Sequence, residues 1–196
     1  MKIDLRKVIM IAALVALDVV FTRLLAVNAA VFKLGVGFAA VGVCAMLYGP
    51  ACAALCAALG DLIGALLFPT GAYFPGFTLT AALSGFIFGL FLYKDRPSFG
   101  RCFLAALLDG LTVTLLLNTA MISLVFGPKF LPLLYTRLAQ FGAMLIIETA
   151  VFFALSRSDA LWAKIFEIRQ ENRQKSLTTQ QFDDKLVERS KDSRSL

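Results

Sequence analysis

The 196-residue sequence has no histidine, one tryptophan and few charges, with Asp, Glu, Lys and Arg together making up only 16%. Without histidine there can be no His-based catalytic triad and no His-ligated metal centre. No G-x-x-x-x-G-K-[ST] stretch is present, so the chain carries no phosphate-cradling loop for ATP. Soluble domains hold about a quarter charged residues. At 59% hydrophobic, this chain is instead expected to be a membrane protein. Its four cysteines, Cys44, Cys52, Cys56 and Cys102, all sit among small apolar residues. Cys52 and Cys56 can share a helix face, but two thiols without further ligands make a poor metal site, so all four read as packing residues. No metal, cofactor or catalytic residue is expected.

What charge there is lies unevenly. Residues 157–196 hold nine Lys/Arg and seven Asp/Glu, half of the total, and form a hydrophilic tail. Residues 1–156 form a hydrophobic body. The net charge of +6 does not point to nucleic acid, because the bases flank apolar runs or lie in the tail, which suits lipid headgroups.

Six apolar runs stand out, at about 8–27, 34–48, 51–68, 76–93, 102–126 and 131–156. Crossing about 30 Å of hydrocarbon takes about 20 helical residues, so the second to fourth runs are short. Gly49-Pro50 divides two of them, because proline cannot continue a helical hydrogen-bond ladder; two short helices joined by a tight turn are predicted there. Lys2, Arg6 and Lys7 precede the first run, Lys94, Arg96 and Arg101 separate the fourth and fifth, and Arg157 and Lys164 follow the sixth. The opposite connections hold only Lys33 and Lys129. The positive-inside bias predicts an all-α body of six transmembrane helices with both termini cytoplasmic. A cleaved signal peptide is disfavoured, because Asp18 and Arg23 interrupt the apolar region such a peptide needs.

Polar groups inside apolar spans are costly and mark function or pairing. With the termini inside, Arg23, Asp61, Asn118, Arg137 and Gln140 fall in the outer halves of their helices, and Lys33 at the outer start of the second. Polar groups gathered at one depth, three of them cationic, fit a cavity open to the outside and suited to an anionic solute. Arginine adds forked hydrogen bonds to a carboxylate. The alternative is that Arg23 snorkels to headgroups while Asp61 and Asn118 join helices. Asp109 and Glu148 lie deeper, where a structural or partner-facing role is expected. Residues 68–80 carry two prolines, two glycines and four aromatics between the third and fourth helices. Such a segment can form a lid or pocket wall that stacks against a ring, or an interfacial aromatic belt. Ala12 and Ala16, four apart on helix 1, admit close approach of another helix.

Taken together these residues resemble the substrate-binding S component of an energy-coupling factor (ECF) vitamin transporter of the folate-specific family. The likeness is carried by Lys33-Leu34-Gly35, by Leu47-Tyr48-Gly49-Pro50, and above all by the run from Leu59-Gly60-Asp61-Leu62-Ile63-Gly64 through Phe68-Pro69-Thr70-Gly71-Ala72-Tyr73-Phe74-Pro75-Gly76-Phe77-Thr78-Leu79-Thr80. It resumes at Asn118-Thr119 and Arg137. The resemblance implies an ECF S-component fold in a bacterial plasma membrane. It also implies capture of folate or a reduced folate at the outer face, and ATP-driven uptake by a separate transmembrane coupling subunit and two ATPases. It gives Ala12 and Ala16 a role against the coupling subunit. Arg23, Arg137 and Lys33 then suit the glutamate end of the vitamin; Asn118, Asp61 and Gln140 suit the pterin edge; Tyr73, Phe74 and Phe77 line or cover the pocket. The sequence departs from the family pattern at Met121, where a tryptophan is common, and at Ala39, where a proline is frequent.

Other functions fit less well. An intramembrane aspartyl protease needs a G-x-G-D motif, and this chain has Ala58-Leu59-Gly60-Asp61. A stand-alone secondary transporter is not suggested by six short helices without an inverted repeat. An S component for another vitamin, such as riboflavin or pantothenate, is the nearest alternative. In the tail, Leu161, Ile165 and Ile168 follow helical spacing, which predicts an amphipathic helix on the inner membrane surface; the chain beyond about Lys175 is polar and predicted to be disordered. Because Trp162 is the only tryptophan and lies in this tail, folate should quench tryptophan fluorescence little. A large quench in a titration would contradict the outer placement of the site.

Overall fold

In a computed structural model, residues 5–23, 27–28, 33–69, 74–93, 95–126 and 130–170 are described, without the side chains of 27–28, 33–34, 124–126 and 130–136. The described chain is helical apart from one short ladder. Helix α1 runs over Leu5–Arg23, α2 over Gly37–Tyr48, α3 over Pro50–Leu67 and α4 over Pro75–Leu92. Helix α5, Phe99–Asp109, passes without a break into a π-helical segment, Gly110–Asn118, and then into α6, Thr119–Phe126. Helix α7 spans Phe130–Arg157. Between α1 and α2, the strands Val27–Asn28 and Lys33–Leu34 pair antiparallel. The first helix thus ends four residues before the apolar run that announces it, because the chain there turns into this ladder.

Each apolar run of the body contains a helical rod. Four of them, Pro50–Leu67, Pro75–Leu92, Phe99–Ser123 and Arg137–Arg157, are long and apolar enough to cross a membrane, and α2 is apolar but only 12 residues long. The Gly49-Pro50 break is where the sequence puts it. Gly49 adopts φ +83°, a region that disfavours a Cβ, and Pro50 opens α3 at the position where a missing N–H costs nothing. The Tyr93 ring lies 3.4 Å from where a Cβ of Gly49 would stand, an ordinary contact distance, so it is φ that calls for glycine there.

The packing differs from that of a soluble core in how many large apolar side chains it leaves exposed. Much of the buried interior is small side chains (Ala40, Cys44, Ala45, Ala53, Cys56, Cys102, Ala105, Ala106) set around a few large ones such as Met46, Phe88 and Leu92, while many large ones such as Leu66 (68% exposed), Leu79 (70%) and Ile146 (71%) face outward. Lipid-solvated helices gain little by hiding leucine and associate through close backbone approach, so this pattern suits a bilayer. The closest approach joins α3 and α4. A Cβ on Gly85 would run into the Ala53 carbonyl, and one on Gly89 into Pro50. The largest fully buried side chain described is Phe152 of α7, edge-to-face with Phe38 (5.6 Å between centroids) and Phe88 (4.9 Å), its ring lodged against Gly42. Asp109 and Glu148 are buried in this interior, so neither is exposed to a partner.

A second compact unit begins at Asp159, after a body that ends at Ser158. Within it residues 159–170 are helical, with Trp162 and Ile165 buried and Phe166 exposed. The Arg169 guanidinium stands 5.8 Å from the Trp162 ring centre. Lys164 and Glu167 pair at 3.0 Å, but both are so exposed that the pair contributes little. The tail beyond Lys175, predicted to be disordered, lies outside the described residues.

Candidate functional site

Three elements bring polar groups together near the C-terminal end of α1. Asp18 is buried between α2 and α3, where only hydrogen atoms of Gly37 and Gly60 leave room for its carboxylate. One turn on, the Arg23 guanidinium lies over Gly64, with Nε 2.8 Å from the position a Cβ would take. Gly60 and Gly64 are four apart, so they open one face of α3 to two charged side chains of α1. Arg23 Nη2 stands 3.7 Å from Asp61 Oδ1, and its side chain is 9% exposed against 27% for Asp61. This separation is beyond hydrogen-bond length, so the contact is one of charge. The other oxygen, Oδ2, accepts a 2.8 Å hydrogen bond from the Thr78 hydroxyl of α4. The carboxylate of Asp61 is therefore held from two sides by two helices.

A second anchor lies at the start of α4. The Thr80 hydroxyl is 2.9 Å from Asn118 Oδ1, across to the last residue of the π segment. That segment is stitched by threonines: Thr112 Oγ1 donates to the Leu108 carbonyl at 2.5 Å, and Thr119 Oγ1 to the Thr114 carbonyl at 3.2 Å, five residues back. Wider π turns retard the angular position of everything beyond them, and such segments recur at functional sites. Here the segment ends with Asn118 directed at α4. Beside this anchor, Phe74 and Phe77 meet edge-to-face with centroids 6.1 Å apart. Gly76 leaves space that Phe74 and the Met121 sulfur fill, the latter 2.9 Å from the Cβ position. Met121, where the family pattern has a tryptophan, thus borders the opening turn of α4.

Arg137 lies on α7, half-buried, with no ion-pair or hydrogen-bond partner among the described residues. Its level along the helices follows from register. Phe153 meets Phe99 edge-to-face and Phe141 lies against Gly110, so α7 runs antiparallel to α5 and the π segment. Four residues before Phe141, Arg137 stands about 6 Å further along, toward the Asn118 end of the π segment. It thus stands about one turn short of the level of Asn118.

Of the residues singled out in the sequence, the structure joins Arg23 with Asp61 directly, and reaches Asn118, Phe74 and Phe77 through the same end of α4. Gln140 is half-buried on α7, and no ion pair or hydrogen bond among the described residues ties Arg137 to that cluster. Lys33 pairs its backbone with Asn28 in the ladder, while its side chain, like all of Tyr73, lies outside the described residues. Ala12 and Ala16 are exposed together on α1. Thr78, Thr80 and the buried Asp18 were not among the site candidates. The alternating threonines of Phe77-Thr78-Leu79-Thr80, at the opening of a helix that follows a Pro-Gly loop, are the signal that could have found the first two.

Comparison with known proteins bears on this arrangement. A family model described as ECF-type riboflavin transporter, S component, matches residues 2–157. A folate transporter FolT of Clostridium novyi is 35% identical over 145 residues, covering 74% of this chain and 84% of the relative. A folate transporter FolT of Leuconostoc mesenteroides subsp. mesenteroides is 31% identical over 166 residues, covering 82% and 89%. Among solved structures, a crystal structure of FolT bound with folic acid superimposes with a TM-score of 0.74 at 31% identity, over 78% of this chain and 93% of that one.

Proposed function

The chain belongs to the family of ECF-type transporter S components, and from that premise we propose that it captures a folate at the outer face of a bacterial plasma membrane. It is a transport subunit and not an enzyme. In this reading the body crosses the membrane six times with both termini cytoplasmic. A coupling subunit docks along the Ala12–Ala16 face of α1, and two ATPases supply the energy that the chain, lacking a P-loop, cannot.

Two vitamins compete for the assignment, because the family model is named for riboflavin and the relatives for folate. The distribution of charge favours folate. Riboflavin has no carboxylate and is neutral, whereas folate ends in a glutamate with two. A half-buried guanidinium without an acid beside it, as at Arg137, is costly unless an anion arrives. That observation carries the reading. Arg137 receives a carboxylate of the glutamate end, with Arg23 and Lys33 as neighbouring positive charges, although Asp61 already offsets that of Arg23. The carboxylate of Asp61 and the amides of Asn118 and Gln140 face the hydrogen-bonding edge of the pterin. Phe74, Phe77 and Tyr73 wall the rings.

The test is uptake of labelled folic acid into vesicles holding this chain, with and without the coupling subunit and ATPases. ATP-dependent uptake in the full complex alone is expected. Accumulation by the chain alone would instead make it a secondary transporter. Binding of riboflavin in preference to folic acid, in competition by isothermal titration calorimetry, would move the substrate assignment and leave the family intact.

A further inference from the structure

Thr80 has more acceptors than protons. Its Oγ1 lies 2.8 Å from the Phe77 carbonyl and 2.9 Å from Asn118 Oδ1, and a hydroxyl donates once. The residue is buried, so no bulk water relieves the choice. The Phe77 carbonyl, in the first turn of α4, already serves as an acceptor in the helix ladder. With the proton on the Asn118 side, Oδ1 of the amide is turned inward to Thr80. The NH2 group, which has no partner among the described residues, is left on the accessible side of a half-buried residue. With the proton on the Phe77 carbonyl, the amide would have to turn over, donate to Thr80 and present its oxygen. One buried proton thus decides whether Asn118 offers a pair of donors or an acceptor.

We infer that Thr80 is a specificity-determining positioning residue, which holds Asn118 as a hydrogen-bond donor and thereby selects ligands with an acceptor at that edge. The inference rests on the folate reading above. It deepens that reading by naming the form of the ring: a pterin whose position 4 carries an oxo group, not an amino group. A 4-oxo group accepts from the amide NH2. A 4-amino group would set donor against donor, and a polar group buried without its partner weakens binding by roughly tenfold or more. Valine at position 80 keeps the shape of threonine and removes the proton, so the amide can turn to suit either ligand.

The experiment measures affinity of the purified full-length chain for folic acid and for 4-amino-4-deoxyfolic acid, in the wild type and in Thr80→Val, Thr80→Ala and Thr80→Ser. The wild type should prefer folic acid by roughly tenfold or more. Val and Ala should each bring the ratio to within about threefold, and Ser, which keeps the proton, should restore it. A merely structural role for Thr80 would weaken both ligands alike and leave the ratio standing, and that result overturns the inference. So does a wild type with no preference, or with a preference for the 4-amino compound. If the wild type binds neither compound, the folate reading itself falls, and the inference with it. Thr80→Ala stands in for Thr80→Val should the latter not fold.

Discussion

Valine at Gly85 or Gly89 is expected to prevent the chain from being recovered as a stable folded protein. The two positions lie four apart on α4 and face the start of α3, the small-x-x-x-small spacing that lets helix backbones touch. What matters is the identity of the obstructing atoms. A Cβ on Gly89 would lie 2.6 Å from Pro50 N and also meet Pro50 Cα, and one on Gly85 would lie 2.7 Å from the Ala53 carbonyl carbon and 2.9 Å from Ala54 N. Backbone atoms cannot rotate away as a side chain can, so the two helices must separate. Overpacking of a rigid site costs about 1–3 kcal/mol per position, and separation here would also draw Phe88 off Phe152. The double variant should therefore be lost from the membrane fraction, and the single ones should elute as aggregates on size exclusion. Gly100→Ala and Gly142→Ala make the control. Neither Cβ would meet anything within 4 Å, and both positions are helical and exposed. Their melting temperatures in detergent should hold or rise, since alanine favours a helix over glycine by up to about 1 kcal/mol. Equal tolerance at all four positions would mean that α3 and α4 do not pack as described.

How much of this was legible beforehand depends on the range of the interaction. Breaks set by one or two residues could be read directly: Gly49-Pro50 ends one helix and starts the next because of φ and a missing N–H, both local properties. The apolar runs gave the rods, since burial in lipid asks only for composition over length. The C-terminal end of α1 falls four residues short of its apolar run because hydropathy continues through Val27 while the backbone has already left the helix. The π segment was not legible. It depends on hydrogen bonds five residues apart, and no periodicity of apolar residues distinguishes Gly110–Asn118 from the α-helix on either side. Its consequence, the 38-residue link from Thr80 to Asn118, could not be read locally either. Arg23 and Asp61 were each identified as candidates, but not as facing one another, because their meeting depends on Gly60 and Gly64 clearing a path between helices. Glycine four apart is visible in a sequence; what will enter the space is not.

Arg137→Gln is expected to weaken folic acid binding by about 2–4 kcal/mol, a loss of roughly 30- to 1000-fold in Kd. The size follows from the surroundings of the residue. On α7 the guanidinium is half-buried and no acid among the described residues offsets it, so its positive charge is available to an incoming anion. Arg23 is a useful contrast, since Asp61 stands 3.7 Å away and shares its charge. Arg23→Gln should cost less for the carboxylate end, and part of its effect should come through Asp61, whose charge would lose its nearest cation. A ligand without the glutamate separates the two. Pteroic acid keeps the pterin and benzoyl rings but has a single carboxylate, attached directly to the ring. If Arg137 serves the glutamate, Arg137→Gln should weaken folic acid strongly and pteroic acid little, while Arg23→Gln should affect both to similar degrees. Calorimetric titration of the two ligands into the two variants gives four affinities. If Arg137→Gln lowered both ligands equally, the residue would act on the pocket as a whole. Unchanged affinity for folic acid would remove Arg137 from the site and, with it, the main electrostatic reason for preferring folate to an uncharged vitamin.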